Sequence, residues 1–363
     1  MANFNLSKMA VNMFCPGNVV QLDDAGLPSV LVYIPAFKNS DVLVGGDPNT
    51  HPAFIVNGRE IPGFHYSKYE NVVYNGKAYS LPAEDPAAAI NFDTARQCCE
   101  AKGYGWHMST NAEWAAIALW CKANGILPYG NNNFGKDNRE SHHKAIETLK
   151  DRGKTGRVAT GTGPLTWSHD RTPSGIWDMN GNVWEWQGGI RYVWGELQIL
   201  ANNDAADPDN PQNETSTSWK AISAANGSLV EPESKVTDTA GKAAGATVKI
   251  DWLDNTWTYN TGVTNARSED ASTPFGNLTC TAAISEAAKV QLRALALLPD
   301  EGAGEGDYEN ASVLLNNTKA ERVITRGGYW NYGELGGVFN YYGDSRTTPY
   351  ASVGFRSAYI PTI

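Results

Sequence analysis

The segment from Arg326 to Arg356 constrains the fold more than any other part of the chain, because glycines, large apolar residues and arginines recur in it as a frame. Glycines let a backbone turn and approach other elements closely, and aromatic side chains pack it. A stiff, tightly turned segment is therefore predicted. The frame residues are Arg326, Gly327, Gly328, Trp330, Gly333, Gly337, Val338, Phe339, Ser345, Arg346, Gly354, Phe355 and Arg356.

The positions between the frame residues have a different chemistry. Tyrosine mixed with small polar residues is typical of adaptable binding surfaces. Tyrosines could instead belong to a core, but core positions favour aliphatic or Phe side chains, so we predict a ligand-binding face. Its residues are Tyr329, Asn331, Tyr332, Glu334, Leu335, Asn340, Tyr341, Tyr342, Asp344, Thr347, Thr348, Pro349, Tyr350, Ala351 and Ser352.

The frame resembles the C-terminal signature of the formylglycine-generating-enzyme (sulfatase-modifying factor) type of C-type lectin fold. Within that superfamily it is most similar to the variable proteins of diversity-generating retroelements. In those proteins a mutagenic reverse transcriptase rewrites adenine-containing codons, and an Asn codon can become Tyr, Ser, Thr, Asp, Leu, Pro or Ala. Glu334 departs from this set, so it needs a different template codon or a fixed role.

Other signatures follow in the order of the same family. The most specific is residues 175–186, G-I-W-D-M-N-G-N-V-W-E-W, which is similar to the family pattern G-L-Y-D-M-x-G-N-V-W-E-W. The resemblance implies an α+β, C-type lectin fold with a long insertion. The weaker signatures are residues 31–37, 64–70, 90–96 and 106–114.

The chain is predicted to consist of an N-terminal arm (1–25) and one C-type lectin-like domain (26–363). The domain contains an insertion (196–320), for which a separate small domain is the alternative, and the variable region (326–356). Thr110 and Glu113 have the spacing of a capping box and predict a helix start. Further helices are predicted over 93–102 and 286–298, and a strand over 183–187.

The composition excludes several function classes. With 363 residues, a formal net charge of -10 and no basic run, the chain lacks the footprint of a nucleic-acid-binding protein. No apolar run is long enough for a signal-peptide core or a membrane span, so we expect no membrane insertion and a location in a phage virion tail or the bacterial cytoplasm. The 5 cysteines are scattered, which favours reduced thiols.

Two enzymatic branches of the family need residues that this chain does not offer in the matching places. The oxidase branch uses a pair of cysteines near the C-terminal frame, but none lies between Val323 and Ile363. The iron-dependent sulfoxide synthases need histidines at ligand spacing, and no pair here is spaced i, i+4; His142 and His143 fit a solvated face. We therefore expect no enzymatic activity and no required cofactor.

One metal site remains as an implication of the resemblance. Enzymes of the family hold Ca²⁺ around the stretch that matches 178–185, which would use Asp178, Gly181, Val183 and Glu185 here. The alternative is that Asp178 or Glu185 pairs with a frame arginine such as Arg326 or Arg356. A Ca²⁺-dependent sugar-binding lectin is also an alternative, although the chain lacks the usual Glu-Pro-Asn and Gln-Pro-Asp triplets.

These observations predict a non-enzymatic, receptor-binding or adhesin-like protein. Its hypervariable face would contact a protein or glycan ligand on a target cell or surface. The frame would be the rigid scaffold, and the arm would attach the chain to a larger assembly. The family includes phage tail adhesins and bacterial surface proteins.

Overall fold

A computed structural model describes residues 2–142 and 144–361, so His143 lies outside the described residues. Its α-helices are α1 (Ala2–Phe14), α2 (Asn39–Val42), α3 (Phe92–Glu100), α4 (Asn111–Ala123) and α5 (Glu286–Ala294). None of these described helices combines the length and the apolar composition that crossing a bilayer requires.

Strands outnumber helices, which confirms the predicted α+β class. In the first half of the chain they are β1 (Asn18–Leu22), β2 (Pro28–Pro35), β3 (Ile55–Val56), β4 (Arg59–Glu60), β5 (Gly63–Ser67), β6 (Val72–Tyr74), β7 (Lys77–Tyr79), β8 (Trp106–Met108), β9 (Lys150–Asp151) and β10 (Lys154–Thr155). The remaining strands are β11 (Trp184–Val193), β12 (Glu196–Ile199), β13 (Lys220–Ile222), β14 (Leu229–Val230), β15 (Lys249–Leu253), β16 (Thr256–Asn260), β17 (Ala271–Pro274), β18 (Thr279–Cys280), β19 (Ser312–Leu315), β20 (Arg322–Gly327), β21 (Gly337–Asp344), β22 (Val353–Phe355) and β23 (Ser357–Tyr359).

Two sheets organise the molecule. A 5-stranded sheet has the order β1-β2-β5-β23-β8, so the last strand of the chain lies between strands from its first third. A 12-stranded sheet has the path β17-β19-β21-β20-β11-β12-β15-β16-β18, with β13, β14 and β22 attached beside it. This closure of the chain by its C-terminal strand is consistent with a C-type lectin fold.

Helix α4 occupies the centre of the core, and its start is specified locally. Thr110 accepts a hydrogen bond from the Glu113 N-H while Glu113 reaches back to the Thr110 N-H, as the capping box predicts. The helix is apolar on nearly every side and buried accordingly, including Trp114 and Ile117. The helix predicted over 286–298 begins after Ser285 as expected but ends at Ala294, because Leu295 already leaves helical geometry.

Part of the predicted arm differs from what the sequence indicated, and the insertion contains strands that the sequence did not predict. Within the predicted arm, residues 18–22 form β1, which pairs with β2 along its whole length and buries Val20, so this part belongs to the 5-stranded sheet. The insertion contributes strands β12–β19 to the same sheet as β11, β20 and β21. Its polar composition concealed this, because its strands are short and each supplies only a few apolar side chains.

Candidate ligand-binding site

The predicted variable region is anchored where three strands lie side by side. β20 pairs antiparallel with β11, which sets Arg326 opposite Glu185, and β22 pairs in parallel with the start of β11, which sets Val353 opposite Trp184. The Trp184 N-H also donates to the Ser352 carbonyl at 2.8 Å. The loop after β20 and the segment before β22 therefore converge beside Trp184.

The last frame arginine, Arg356, ties this convergence to the core. Its Nε donates to Glu185 Oε2 at 2.7 Å, and both side chains are at most 1% exposed. Its two terminal nitrogens donate to the carbonyls of Lys68 (3.1 Å) and Trp177 (2.6 Å). The buried guanidinium is thus stabilised by one charge-assisted ion pair and by further hydrogen bonds to backbone carbonyls. Arg356 is therefore a structural residue.

Arg326 is equally buried, yet no carboxylate pairs with it among the described residues. Its Nε and Nη2 donate to Asn111 Oδ1 at 3.1 and 2.7 Å, and Nη2 also reaches the Ala296 carbonyl at 3.2 Å. The Tyr341 ring lies 4.9 Å from the guanidinium. Burial lowers the pKa of Arg326 to about 10, so it remains charged at neutral pH.

Arg346 fixes the segment between β21 and β22. It forms a two-pronged pair with Glu321, with Nε–Oε2 at 2.6 Å and Nη2–Oε1 at 2.9 Å. Its Nη1 donates to Asp93 Oδ1 at 2.9 Å and its Nη2 to the Gln212 carbonyl at 3.0 Å. One frame side chain thus connects the segment to α3 and to the insertion.

Glycines are required where the loop leaves β20. Gly327 and Gly328 have φ values of +92° and +91°, a region that L-residues with a Cβ rarely adopt. A Cβ at Gly328 would also lie 3.1 Å from the Gly336 Cα, because the loop closes on itself there. Substituting Gly328 would therefore strain the loop base whatever the side chain.

Three tyrosines form a half-buried platform on Trp184, called here the aromatic shelf: Tyr329, Tyr332 and Tyr342. The Trp184 ring lies 4.9 Å from Tyr332 and 5.9 Å from Tyr342, and Tyr329 lies 5.6 Å from Tyr332. Packing on a rigid indole limits the side-chain entropy that a ligand would have to remove. The shelf presents pre-positioned aromatic area.

Exposed side chains surround the shelf and are called the rim: Asn331, Glu334, Leu335, Thr347, Pro349, Tyr350 and Ala351. Leu335 and Tyr350 are 40% and 54% exposed, so both present apolar surface to solvent. Thr348 and Ser352 are half-buried between the rim and the body. The structure therefore brings most of the predicted binding positions to one region.

Three predicted binding residues are corrected by the structure. Asn340, Tyr341 and Asp344 are buried, so they do not face a ligand in this arrangement. The insertion covers them: β19 pairs in parallel with β21, and Asn340 Nδ2 donates to the Ser312 carbonyl at 2.8 Å. The Tyr341 hydroxyl lies 3.3 Å from the Tyr259 hydroxyl on β16. For Tyr341 the core alternative was correct.

Some residues that shape the site were not predicted as part of it. Trp184 supports the shelf, and Asp270 of the insertion accepts a hydrogen bond from the Tyr342 hydroxyl at 3.1 Å. The Ser312 hydroxyl donates to the Tyr332 hydroxyl at 3.5 Å. Trp184 belongs to the most specific family signature and could have been inferred. Nothing in the sequence brings Asp270 or Ser312 to this place.

The predicted calcium ligands lie together, but other protein groups already bind one oxygen of each carboxylate. Glu185 Oε2 is held by Arg356, which is the pairing that the alternative predicted, and Asp178 Oδ2 accepts from the Gly161 N-H at 2.8 Å. Their other carboxylate oxygens are buried without a partner. In the described ranges, 2–142 and 144–361, no group of three or more His, Cys, Asp or Glu could hold a metal. The positive charge of Arg356 on Glu185 therefore opposes calcium binding by these residues and the carbonyls of Gly181 and Val183.

A third carboxylate, Glu70, lies close enough to Arg356, Asp178 and Glu185 to interact with their charges. Burial raises the pKa of Asp178 to about 6 and that of Glu185 to about 7. Burial, reinforced by these two neighbours, also raises the pKa of Glu70. Glu70 accepts from Val183 N at 3.2 Å. One arginine faces three carboxylates, so burial favours the protonated forms of these carboxyls more than it does for exposed ones.

The thiols are placed as structural side chains. Cys98, Cys99 and Cys121 are buried, and burial raises the pKa of each. Burial likewise raises the pKa of Cys280 to about 12. A protonated, enclosed thiol is a poor nucleophile and metal ligand. His142 is exposed, in keeping with a solvated segment.

Comparison with known proteins gives little beyond the fold. No protein-family model matches the sequence, and no curated protein matches it. PvdO from Pseudomonas aeruginosa is a similar solved structure, with 13% identity over 92% of this chain and 94% of that chain and a TM-score of 0.35. Variable protein 1 of Treponema denticola shows 11% identity over 95% of this chain and 100% of that chain, with a TM-score of 0.29. Likenesses at these scores carry no argument about function.

Proposed function

We propose that this chain is a non-enzymatic ligand-binding protein whose aromatic shelf and rim contact a protein or glycan on a target surface. The observation that carries the proposal is that the residues from 326 to 356 fall into a buried set and an exposed set. Frame arginines are buried and bonded to the core, whereas the rim side chains face solvent. Such a surface can change composition without loss of the fold.

Diversification by a retroelement is part of the same proposal. Apart from Glu334, the rim positions carry residue types that adenine-directed rewriting of an Asn codon produces. The shelf adds Tyr, a side chain with large contact area and few torsions. A near-copy of the DNA encoding 326–356, differing at adenines and next to a reverse transcriptase, would support this mechanism. A neighbourhood with neither feature would remove it while leaving the binding role open.

An oxidase of the formylglycine-generating type is the competing function. It requires accessible thiolates beside the substrate, and burial opposes thiolate formation at Cys98 and Cys99. Incubation with copper, oxygen and a cysteine peptide should therefore give no aldehyde. Turnover in that assay would overturn the proposal.

The binding role is tested by display of the full chain with the six rim positions other than Glu334 randomised, followed by selection against immobilised globular proteins. We expect binders and a folded fraction close to that of the native chain. A matched library randomised at exposed positions elsewhere, including Tyr74 and Tyr104, is the control. Enrichment no better than in the control library, or general misfolding of the rim library, would contradict the proposal.

A further inference from the structure

A small cavity opens beside the rim between the loop after β20 and the segments around residues 132, 180 and 309. Its volume is about 170 Å³, and Asn180, Arg139, Glu309, Glu334 and Gly336 are among its lining residues. It adjoins the shelf through the loop that carries Glu334. Glu334 therefore belongs both to the rim and to the cavity wall.

The cavity wall contains a hydrogen-bond acceptor that no residue in the described ranges uses. Asn180 is 1% exposed, and its Nδ2 donates to the Pro128 carbonyl at 3.0 Å, which orients the amide. Its Oδ1 has no partner among the described residues. A buried, unpaired amide oxygen is costly, so a donor that reaches it gains more than a surface hydrogen bond would.

Gly336 keeps this acceptor uncovered. The backbone there has ordinary negative φ, so glycine is not required for conformation. A Cβ at this position would, however, lie 3.0 Å from Asn180 Oδ1. The absent side chain therefore leaves room beside the amide oxygen.

Negative charge is in excess around the cavity. Arg139 pairs through Nε and Nη2 with Asp137, at 2.7 and 2.8 Å, and through Nη1 with Glu309. Glu334 forms no ion pair or side-chain hydrogen bond with any residue the structure describes. Arg139 is thus already shared by two carboxylates, and the charge of Glu334 is available to a ligand.

We propose that this cavity receives a lysine ammonium of the ligand, donating to Glu334, Glu309 and Asn180 Oδ1. An ammonium is compact and has three donors for separate acceptors, whereas the planar fork of arginine suits one carboxylate. A divalent metal fits less well, because Arg139 already holds Glu309 and the described residues contain no cluster of three acidic, His or Cys ligands. This assignment rests on the proposed function, and it gives Glu334 the fixed role that its residue type suggested.

The test uses the full chain, ¹⁵N-labelled, titrated with Nα-acetyl-lysine amide and, in parallel, with its Nε-acetylated form and with CaCl₂. We expect saturable shifts at the Asn180 side-chain amide and the Gly336 N-H with the charged amide alone. Glu334→Gln should weaken this binding by roughly tenfold, the usual scale for a charged hydrogen bond. Asp209→Asn, which removes an exposed carboxylate away from the cavity, should leave it unchanged.

Gly336→Ala supplies a second variant, since its added methyl would crowd Asn180 Oδ1. It should abolish the shifts while the thermal midpoint stays near that of the native chain. Equal response to both lysine derivatives, saturation by CaCl₂ alone, or native affinity in Glu334→Gln would overturn the cavity assignment. Binders from the rim library whose affinity does not depend on Glu334 would also overturn the cavity assignment. They would still support the shelf and rim as the binding surface, so failure of the cavity assignment can be distinguished from failure of the proposed function.

Discussion

Replacing Arg356 by Met is the perturbation that best tests whether the buried frame carries the fold. The change removes the one cationic partner that Glu185 has among the described residues, together with the donors to the carbonyls of Lys68 and Trp177. Breaking a buried ion pair by removing one member typically costs about 3–5 kcal/mol. Water entering the vacated volume can satisfy the carbonyls but not restore the charge. We therefore expect a loss near that range.

The size of the loss should depend on pH, because Glu185 can escape its unpaired charge by taking up a proton. Burial raises its pKa to about 7 even with Arg356 present, and removing the arginine raises that pKa further. A carboxyl whose folded-state pKa lies above its unfolded value destabilises the fold as pH rises through that window. The variant should therefore lose less stability at pH 5 than at pH 8.

Urea unfolding, followed by tryptophan fluorescence, measures the free energy of unfolding directly. Arg152→Met is the matched control: this side chain is 96% exposed, so its loss should change stability by no more than about 0.5 kcal/mol. Adding Glu185→Gln to Arg356→Met should recover part of the loss. A cost for Arg356→Met as small as that of the control would refute the claim that frame arginines hold the scaffold.

Three further predictions follow from individual side chains. Tyr341→Ser should cost about 3–5 kcal/mol in unfolding free energy, since its ring is fully buried, whereas Tyr350→Ser should stay within about 0.5 kcal/mol; equal costs would contradict the corrected assignment. Because Glu185 is paired with Arg356, a chelator or added Ca²⁺ should leave the thermal midpoint unchanged, and a clear shift would restore the calcium site. Burial lowers the pKa of His51 to about 4, so the stability that neutral His51 provides is present above pH 6.5 and lost as pH falls towards 4; His51→Gln should flatten this acid-side loss, and identical pH profiles would count against it.

Local chemistry made parts of this structure predictable. The cap formed by Thr110 and Glu113 specifies the start of α4 without reference to the rest of the chain. The pairing of Glu185 with a frame arginine followed from the cost of an isolated buried charge. The cap follows from a short-range rule, and the ion pair follows from a single strong energetic constraint.

Other parts depended on contacts between segments distant in sequence. Asn340 and Tyr341 belong to the same residue types as the rim, and only the pairing of β19 with β21 buries them. Residues 18–22 form a run of only five residues between polar and glycine-containing segments, and β2 supplies the partner that makes them a strand. The cavity beside Glu334 likewise arises from loops far apart in the chain, so sequence patterns did not predict it.

The central claim is that a buried frame supports a freely variable face. A saturation mutagenesis scan of positions 326–356, with the full chain displayed and protease resistance as the readout, tests it most directly. The account predicts broad tolerance at Asn331, Glu334 and Tyr350, and strong intolerance at Arg326 and Arg356. Intolerance at the rim equal to that at the frame would contradict it.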